Sequence, residues 1–456
     1  MNKLFIKSIL VCTLLTGCKK MVDVGTGTNQ LTIDKVFADS TSAYAATANI
    51  YALFEKTVDP NFSKYISLYS DELNYTGTST FDAEYLKSVI TPGNSYNLNI
   101  WKNLYFVVYQ CNDLLEQLPL SKGLSVYTRK RLEGEAKFLR AFSYMHLIGV
   151  YSKIPLILST NANINRIATQ QGETAVFAQM VLDLTDAKNL LLTFYEAETK
   201  VRATKWAAAA LLARIHLYQE NWKDAEKEAT AVIASGMFTP LENVNLVFKA
   251  NSRESILQFW TQTGFITSTT SIVPIDNTTL PAYPLSQSLY DAFDDTDLRK
   301  SSWIGSSIYT VNNSSTVYHY VAKYKNRKAG STDAEYLTAL RVAEQYLIRA
   351  EARANLGLIT GNGSAADDLN IVRNRAGIGG TSATTLSNML TAIENERRRE
   401  LFTEWGDRFY YLKYRGKLNS VLENYKSGWI STAASLPIPQ YELTYGPALE
   451  QNQGYH

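Results

Sequence analysis

Residues 206–236 read WAAAALLARIHLYQENWKDAEKEATAVIASG. Trp206, Ala209/Ala210, Ala213 and His216/Leu217 fall at i, i+3/4, i+7 and i+10/11, the spacing of one helix face. Glu220-Asn221 interrupts this pattern, a second helix runs from Trp222 to Ile233, and Ser235-Gly236 supplies a stop. Small Ala213 and, twelve residues on, Ala225 stand where tetratricopeptide repeats need small side chains for close packing of paired helices. Ala229 takes a site that those repeats usually give to an aromatic.

The same pattern returns at Tyr346-Leu347-Ala350-Ala354, Gly357, then Ala365-Ala366-Leu369-Val372, with a longer loop between the helices. Weaker helical pairs join 41–56 with 100–118 and 128–150 with 174–192. The expected fold is therefore mainly α, a tetratricopeptide-like helical repeat scaffold of about four helix pairs spanning residues 32–456. Two irregular insertions break it, at about 72–99 and 240–330. In the second, Ile308–Val311, the turn Asn312-Asn313-Ser314-Ser315 and Val317–Tyr324 predict a β-hairpin with Tyr318, Tyr320 and Tyr324 on one face. Loops carried on a rigid scaffold are where binding usually resides.

The chain has 456 residues with 45 Lys+Arg against 43 Asp+Glu, so it lacks the basic face that nucleic acid requires. Charged residues are 19%, below the ~25% usual for soluble domains, and Tyr is abundant at 29. Such a surface suits neutral polar ligands. Lys3 and Lys7, the apolar run Ile9–Leu15 and Thr16-Gly17 read as a secretory leader over 1–17. Leu15-Thr16-Gly17-Cys18 is similar to a bacterial lipobox, which makes Cys18 the acylated first residue and 18–31 a tether. Removing 1–17 takes Lys3 and Lys7 and no acid, which leaves the remaining side chains balanced in charge. Cys12 is then lost with the leader, and Cys111 is expected as a core thiol.

No phosphate loop, nucleophile elbow or His-Glu-x-x-His occurs. His146, His216, His319 and His456 are scattered, so no metal spacing forms. The acidic run Asp291, Asp294, Asp295, Asp297 lacks the glycine and distal Glu of a calcium loop. It reads as a helix end and turn, with a structural calcium ion as the disfavoured alternative; no cofactor is expected. Glu396, Glu400 and Glu404 share a helix face like a glycosidase set. Pairing of Glu394 with Arg398, Glu396 with Arg399 and Glu404 with Arg408 predicts instead a structural ion-pair network of poor general acids. The remaining chemistry is aromatic, since flat Trp and Tyr faces suit the C–H faces of a pyranose while Asn and Asp bind its hydroxyls. In the first insertion the candidates are Asn74, Tyr75, Tyr85, Tyr96 and Asn97, with Trp101 at its edge; in the second they are Tyr283, Trp303, Tyr309, Asn312 and Tyr318. Trp303, among Ser and Gly, is the leading candidate.

Several strings recur in order along the chain: EAKFLRA at 135–141, YSKIPL at 151–156, RATK at 202–205 before ALLAR at 210–214, and AEQYLIRAEA at 343–352. LNIVRNRAG at 369–377, ERRREL at 396–401, LPIP at 436–439 and QNQGY at 451–455 complete the set. In this order and spacing the chain closely resembles the SusD/RagB family, surface nutrient-binding lipoproteins of Bacteroidetes. The resemblance implies a lipid-anchored position in the outer membrane facing outward, no catalysis, and a SusC-like TonB-dependent transporter as partner. The implied ligand is an oligosaccharide or polysaccharide, with peptides in some branches. The strings are mostly scaffold and transfer no binding residues. A lipid-anchored repeat protein that binds peptides or envelope proteins is the alternative.

Overall fold

Short polar side chains set the helix starts. Asp39, Ser79, Asn94, Ser125, Ser364 and Thr385 each accept a backbone N–H two or three residues on, which satisfies donors left unpaired in a first turn. The structure is a computed structural model that describes residues 37–329 and 333–455. The leader 1–17, Cys18 and the tether 18–31 lie outside the described residues.

In chain order, α1 (Ser40–Leu53) continues through a π-helical turn at Phe54–Val58 into α2 (Asp59–Tyr69), followed by α3 (Thr80–Lys87), α4 (Ser95–Gln117) and α5 (Val126–Tyr151). Next come β1 (Lys153–Pro155), β2 (Gln170–Gly172), α6 (Glu173–Leu190), α7 (Lys205–Tyr218), α8 (Trp222–Ala234) and β3 (Ser255–Phe259). The second insertion contains α9 (Leu298–Trp303), β4 (Ile304–Val311) and β5 (Ser314–Val321). The scaffold resumes with β6 (Leu337–Arg341), α10 (Val342–Asn355), α11 (Ala365–Arg375), α12 (Leu386–Leu401) and α13 (Asp407–Tyr414), and α14 (Gln440–Tyr445) lies near the end.

Helices stack side by side, α4 on α5, α5 on α6, α6 on α7, α7 on α8, α8 on α10, and α10 on both α11 and α12. This is the tetratricopeptide-like scaffold expected from the sequence. Ala213, Ala225, Ala229 and Ala352 are fully buried where α7, α8 and α10 meet, and only small side chains let three backbones approach there. α1 does touch α4, but the main partner of α4 is α5, which shifts one expected pairing. Among the described residues no helix is long and apolar enough to cross a membrane.

Strand pairing is antiparallel in three two-stranded sheets, β1–β2, β3–β6 and β4–β5. The predicted hairpin is present with a tighter turn: Asn312 and Asn313, at φ 49° and 63°, form the two-residue connection alone. Both angles are left-handed, where Asn is among the better tolerated residues. Tyr324 leaves the strand, and its hydroxyl accepts the Thr338 N–H at 2.9 Å.

Trp405 stands at the centre of the core, ringed by Phe54, Phe142, Phe259 and His146, and its indole donates to the Thr338 carbonyl at 2.9 Å. Burial holds His146 well below its ordinary pKa, so it is a neutral core ring. Cys111 is buried, and desolvation raises its thiol pKa.

Candidate functional site: the junction of two insertions

The two insertions, about 200 residues apart in sequence, join by backbone pairing. Asn74 N–H donates to the Pro284 carbonyl at 2.8 Å and Thr76 N–H to Ala282 at 3.1 Å. Leu285 N–H reaches the His319 carbonyl at 2.8 Å, so pairing continues from 73–76 through 282–285 into β5 and β4. Ile308 N–H then bonds the Asn277 carbonyl and seats the hairpin against the 276–279 turn. Within the hairpin, Tyr309, Tyr318 and Tyr320 share one face, as their cross-strand register requires.

At the junction a ladder of rings forms. Tyr75 meets Tyr283 with centroids 5.4 Å apart, Tyr65 stacks on Tyr96 at 4.5 Å and 14°, and Phe81 abuts Tyr96 at 5.6 Å. The Lys64 ammonium bridges the halves, 4.7 Å from the Tyr283 ring and 4.5 Å from Tyr65. It makes no ion pair or hydrogen bond among the described residues. Burial lowers its pKa, and attraction to Asp82 and Asp59 opposes that shift. Tyr283 is fixed by a 2.7 Å hydrogen bond to Asp82. Gly77 leaves room for the Tyr75 ring, since a Cβ there would lie 2.4 Å from the Tyr75 hydroxyl oxygen and would displace it. Tyr75, Phe81 and Tyr96 keep part of their rings in solvent, beside exposed Asn74, Thr78 and Thr80. The arrangement offers flat apolar faces and short polar side chains over a buried ammonium that faces two tyrosine rings. It can hold a polar ring compound.

Not all the sequence candidates meet here. Asn74, Tyr75, Tyr96 and Tyr283 do, although Tyr283 is buried and supports the ladder. Tyr309, Asn312 and Tyr318 lie on the adjoining hairpin, Asn312 exposed at its turn. Asn97 is wholly buried, donating to the Pro437 carbonyl and accepting the Tyr151 hydroxyl, both at 2.8 Å, so it is a scaffold residue. Tyr85 is likewise enclosed. Trp101 is buried against Tyr105 and Tyr151 and faces a different cleft. Trp303 needs the largest correction. It is 1% exposed, its indole donates to the Val244 carbonyl at 2.7 Å, and Phe248 and Phe402 enclose it. Its Ser and Gly neighbours are the end of α9 and the start of β4, and its ring anchors the insertion to the core. Lys64, Tyr65, Phe81 and Asp82 were missed. Lys64 and Tyr65 sit in an ordinary helical pattern, and only their meeting with the second insertion marks them.

Three residues of the acidic run have side-chain partners. Asp297 caps α9 and binds Arg299, Asp295 binds Lys300, and Asp291 accepts from Gln287. Among the described residues no metal-sized group of His, Cys, Asp and Glu occurs. The three glutamates at 396, 400 and 404 belong to a buried ion network. Glu400 meets Arg299, Arg341 and Arg375; Glu396 meets Arg299, Arg373 and Arg399; Glu404 meets Arg341 and Lys323. Burial alone would raise the pKa of Glu400, but attraction to Arg375, Arg341 and Arg299 outweighs it and holds the carboxylate far below its ordinary range. Of the three expected pairs only Glu396–Arg399 forms, at 2.8 Å. Arg398 and Arg408 instead converge on Asp71, and Glu394 meets Arg408 and Lys417.

Comparison with known proteins is consistent along the chain. Residues 29–217 match a SusD-like family described as starch-binding associating with outer membrane, and residues 286–455 match the SusD family. A SusD-like protein of Formosa agariphila is 26% identical over 235 residues, 47% of this chain and 43% of that one. A SusD-like protein of Bacteroides ovatus is 25% identical over 256 residues, 51% of this chain and 45% of that one. The matched stretches thus span less than half the length of these relatives. Among solved structures, a SusD superfamily protein from Bacteroides vulgatus superposes with a TM-score of 0.80 at 21% identity, covering 92% of this chain and all of that one. A laminarin binding SusD-like protein gives 0.77 at 24% identity, covering 91% and 100%. At such identities the likeness is one of fold. With one family's signature at both ends of the sequence and its architecture between them, the chain belongs to the SusD/RagB family.

Proposed function

We propose that the chain is a non-catalytic glycan-binding protein whose contact surface is the junction of the two insertions. The observation that carries this reading is the tyrosine ladder, in which buried Tyr65, Tyr283 and Lys64 back the partly exposed rings of Tyr75 and Tyr96 at the meeting of two segments distant in sequence. A sugar's C–H face lies against Tyr75 or Tyr96 while its hydroxyls find Lys64 and Asn74. Family membership and a laminarin-binding structural neighbour support the ligand class. In this reading the protein is held in the outer membrane by acyl chains on Cys18, faces outward, and hands its ligand to a SusC-like TonB-dependent transporter. Each buried acyl methylene contributes ~0.8 kcal/mol, so several chains anchor durably.

The test is mobility of the purified protein in native gels containing laminarin, starch or another neutral polysaccharide. Retardation by one of them, lost in Tyr75→Ala and Tyr96→Ala, is the expected result. No retardation on any of them, with tight binding to a peptide library, would replace this reading by the peptide-binding one.

A further inference from the structure

A second concave site lies on another side of α4. Trp101 is five residues beyond Tyr96, roughly 140° around the helix, and it lines a cleft shared by the first half of α4, the segment after β1 and the region of α14. The cleft encloses about 750 Å³, inside the range of roughly 300–1,000 Å³ typical of small-ligand sites. None of its lining residues belongs to the junction.

Its base is rigid. Trp101 is buried, with its ring 4.8 Å from Tyr105, whose hydroxyl donates to the Pro155 carbonyl at 2.8 Å. Phe106 and Tyr445 line it with large exposed surfaces, 48% and 65%. Tyr441, also exposed and one helical turn back on α14, lies 4.7 Å from Tyr445. Exposed aromatics gathered around a hollow are rare without a ligand or partner. The polar groups are uneven in charge. Lys102 and Arg166 also line the cleft, and neither side chain makes an ion pair or hydrogen bond among the described residues. The single carboxyl is Glu442, half-buried: burial raises its pKa, and the Trp101 indole and Lys102 oppose that shift. The hollow therefore combines aromatic faces with Arg166, whose side chain has no partner among the described residues, and with Lys102, which faces the half-buried Glu442.

We infer that this cleft is a second saccharide site, and that it takes a sugar ring bearing a carboxylate. The ring's C–H face packs on Phe106 and Tyr445, and the carboxylate is received by Arg166, whose planar fork suits a two-oxygen acceptor, with Lys102 adding charge. The junction, with its lone ammonium already facing tyrosine rings, suits neutral sugars; the cleft suits uronates.

The experiment is isothermal titration of the full chain with a short oligogalacturonate, an oligoalginate and a neutral laminari-oligosaccharide. The proteins are wild type, Arg166→Ala, the double variant Phe106→Ala/Tyr445→Ala, and Tyr75→Ala. Arg166, Phe106 and Tyr445 are exposed, Tyr75 is partly buried against the core, and circular dichroism checks the folding of every variant. The expected result is binding of an acidic oligosaccharide that weakens at least tenfold in Arg166→Ala and in the double variant, is unchanged in Tyr75→Ala, and weakens as salt is raised. Absence of acidic binding in the wild type, or acidic binding untouched by the cleft variants or lost in Tyr75→Ala, overturns the inference. So does a dimer, or adhesion to anionic lipid vesicles, that the double variant abolishes while no oligosaccharide binds; the cleft then belongs to a second copy or a membrane surface. Neutral-glycan retardation measured in parallel reports on the junction alone, so failure at one site is not mistaken for failure at the other.

Discussion

Replacing Trp303 by Phe separates an anchoring role from a sugar-contacting one. The substitution keeps an aromatic ring but removes the indole N–H, so the Val244 carbonyl, bonded at 2.7 Å in the native protein, is left unpaired in the interior. A buried group stranded in this way costs about 1–3 kcal/mol. The smaller ring also leaves space between Phe248 and Phe402, worth roughly 1 kcal/mol at the usual cost of a cavity. Lys323, Arg375 and Arg341 lie 5.0, 5.5 and 5.9 Å from the indole, and a phenyl ring returns less of that attraction, by about 0.5 kcal/mol in all. The expected loss of stability is therefore about 2.5–4.5 kcal/mol. Urea denaturation followed by far-ultraviolet circular dichroism reads it as a lower midpoint with an unchanged slope. Glycan retardation, measured at a temperature where the variant remains folded, should stay within twofold of wild type. Unchanged stability together with lost retardation would refute the placement of this ring in the core and restore it as a platform.

Two further predictions use the buried charges. Glu400→Gln leaves Arg299, Arg341 and Arg375 without their shared carboxylate, and unpairing a buried ion network costs about 3–5 kcal/mol; calorimetry should show a strongly lowered melting temperature, and neither wild type nor variant should turn over a chromogenic glycoside. Asp59, buried and accepting from Ser63 and Ser268, has its pKa raised by desolvation from 3.8 to about 6. The folded state then holds the proton more tightly than the unfolded one, so this group favours folding increasingly as pH falls from above 6 towards 4, and its ionised form costs about 3 kcal/mol above pH 6. Asp59→Asn should therefore be more stable than wild type at pH 8, with the advantage vanishing near pH 4; Glu72, raised to about 7 by burial, acts the same way in both proteins and cancels in the difference. Melting temperatures across that range test it, and a difference independent of pH would count against the assignment.

The legibility of this chain follows the range of the interactions involved. The α7–α8 pair is written locally: Ala213, Ala225 and Ala229 signal close helix packing by size alone, and Glu220 at φ 57° and Gly236 at φ 70° end the two helices where the pattern stops. The hairpin is local too, because Asn312-Asn313 carries its own turn. Trp303 could not be placed from its neighbours, since its burial is imposed by Val244, Phe248 and Phe402, each far away in sequence. The ion network was recognisable in kind but not in detail. Its helix stops at Leu401, and Thr403 and Trp405 take positive φ values of 56° and 49°. That reversal puts Glu404 and Arg408 on different elements, so i+4 spacing no longer brings them together.

The same network explains how an irregular insertion can present a defined surface. Arg299 stands at the start of α9, bound to Asp297 on its own segment and to Glu396 and Glu400 on α12. Trp303, one helical turn on, packs beneath Arg341 and Arg375, which bind the same Glu400. β4 begins at the next residue, so the hairpin leaves the scaffold from a point fixed by charge geometry and by a wedged ring. Buried ion pairs add little net stability over apolar packing, but each has one low-energy geometry, and a shifted insertion would leave several charges unpaired at once. That cost holds the root of the hairpin, while backbone bonds from Asn74 and Thr76 to Pro284 and Ala282 set the register that spaces Tyr75 and Tyr283. The hairpin beside the half-exposed rings is thus rooted by buried residues. Exchanging exposed tyrosines for other side chains should retune the ligand without disturbing the frame, whereas changes in the buried arginines should damage both.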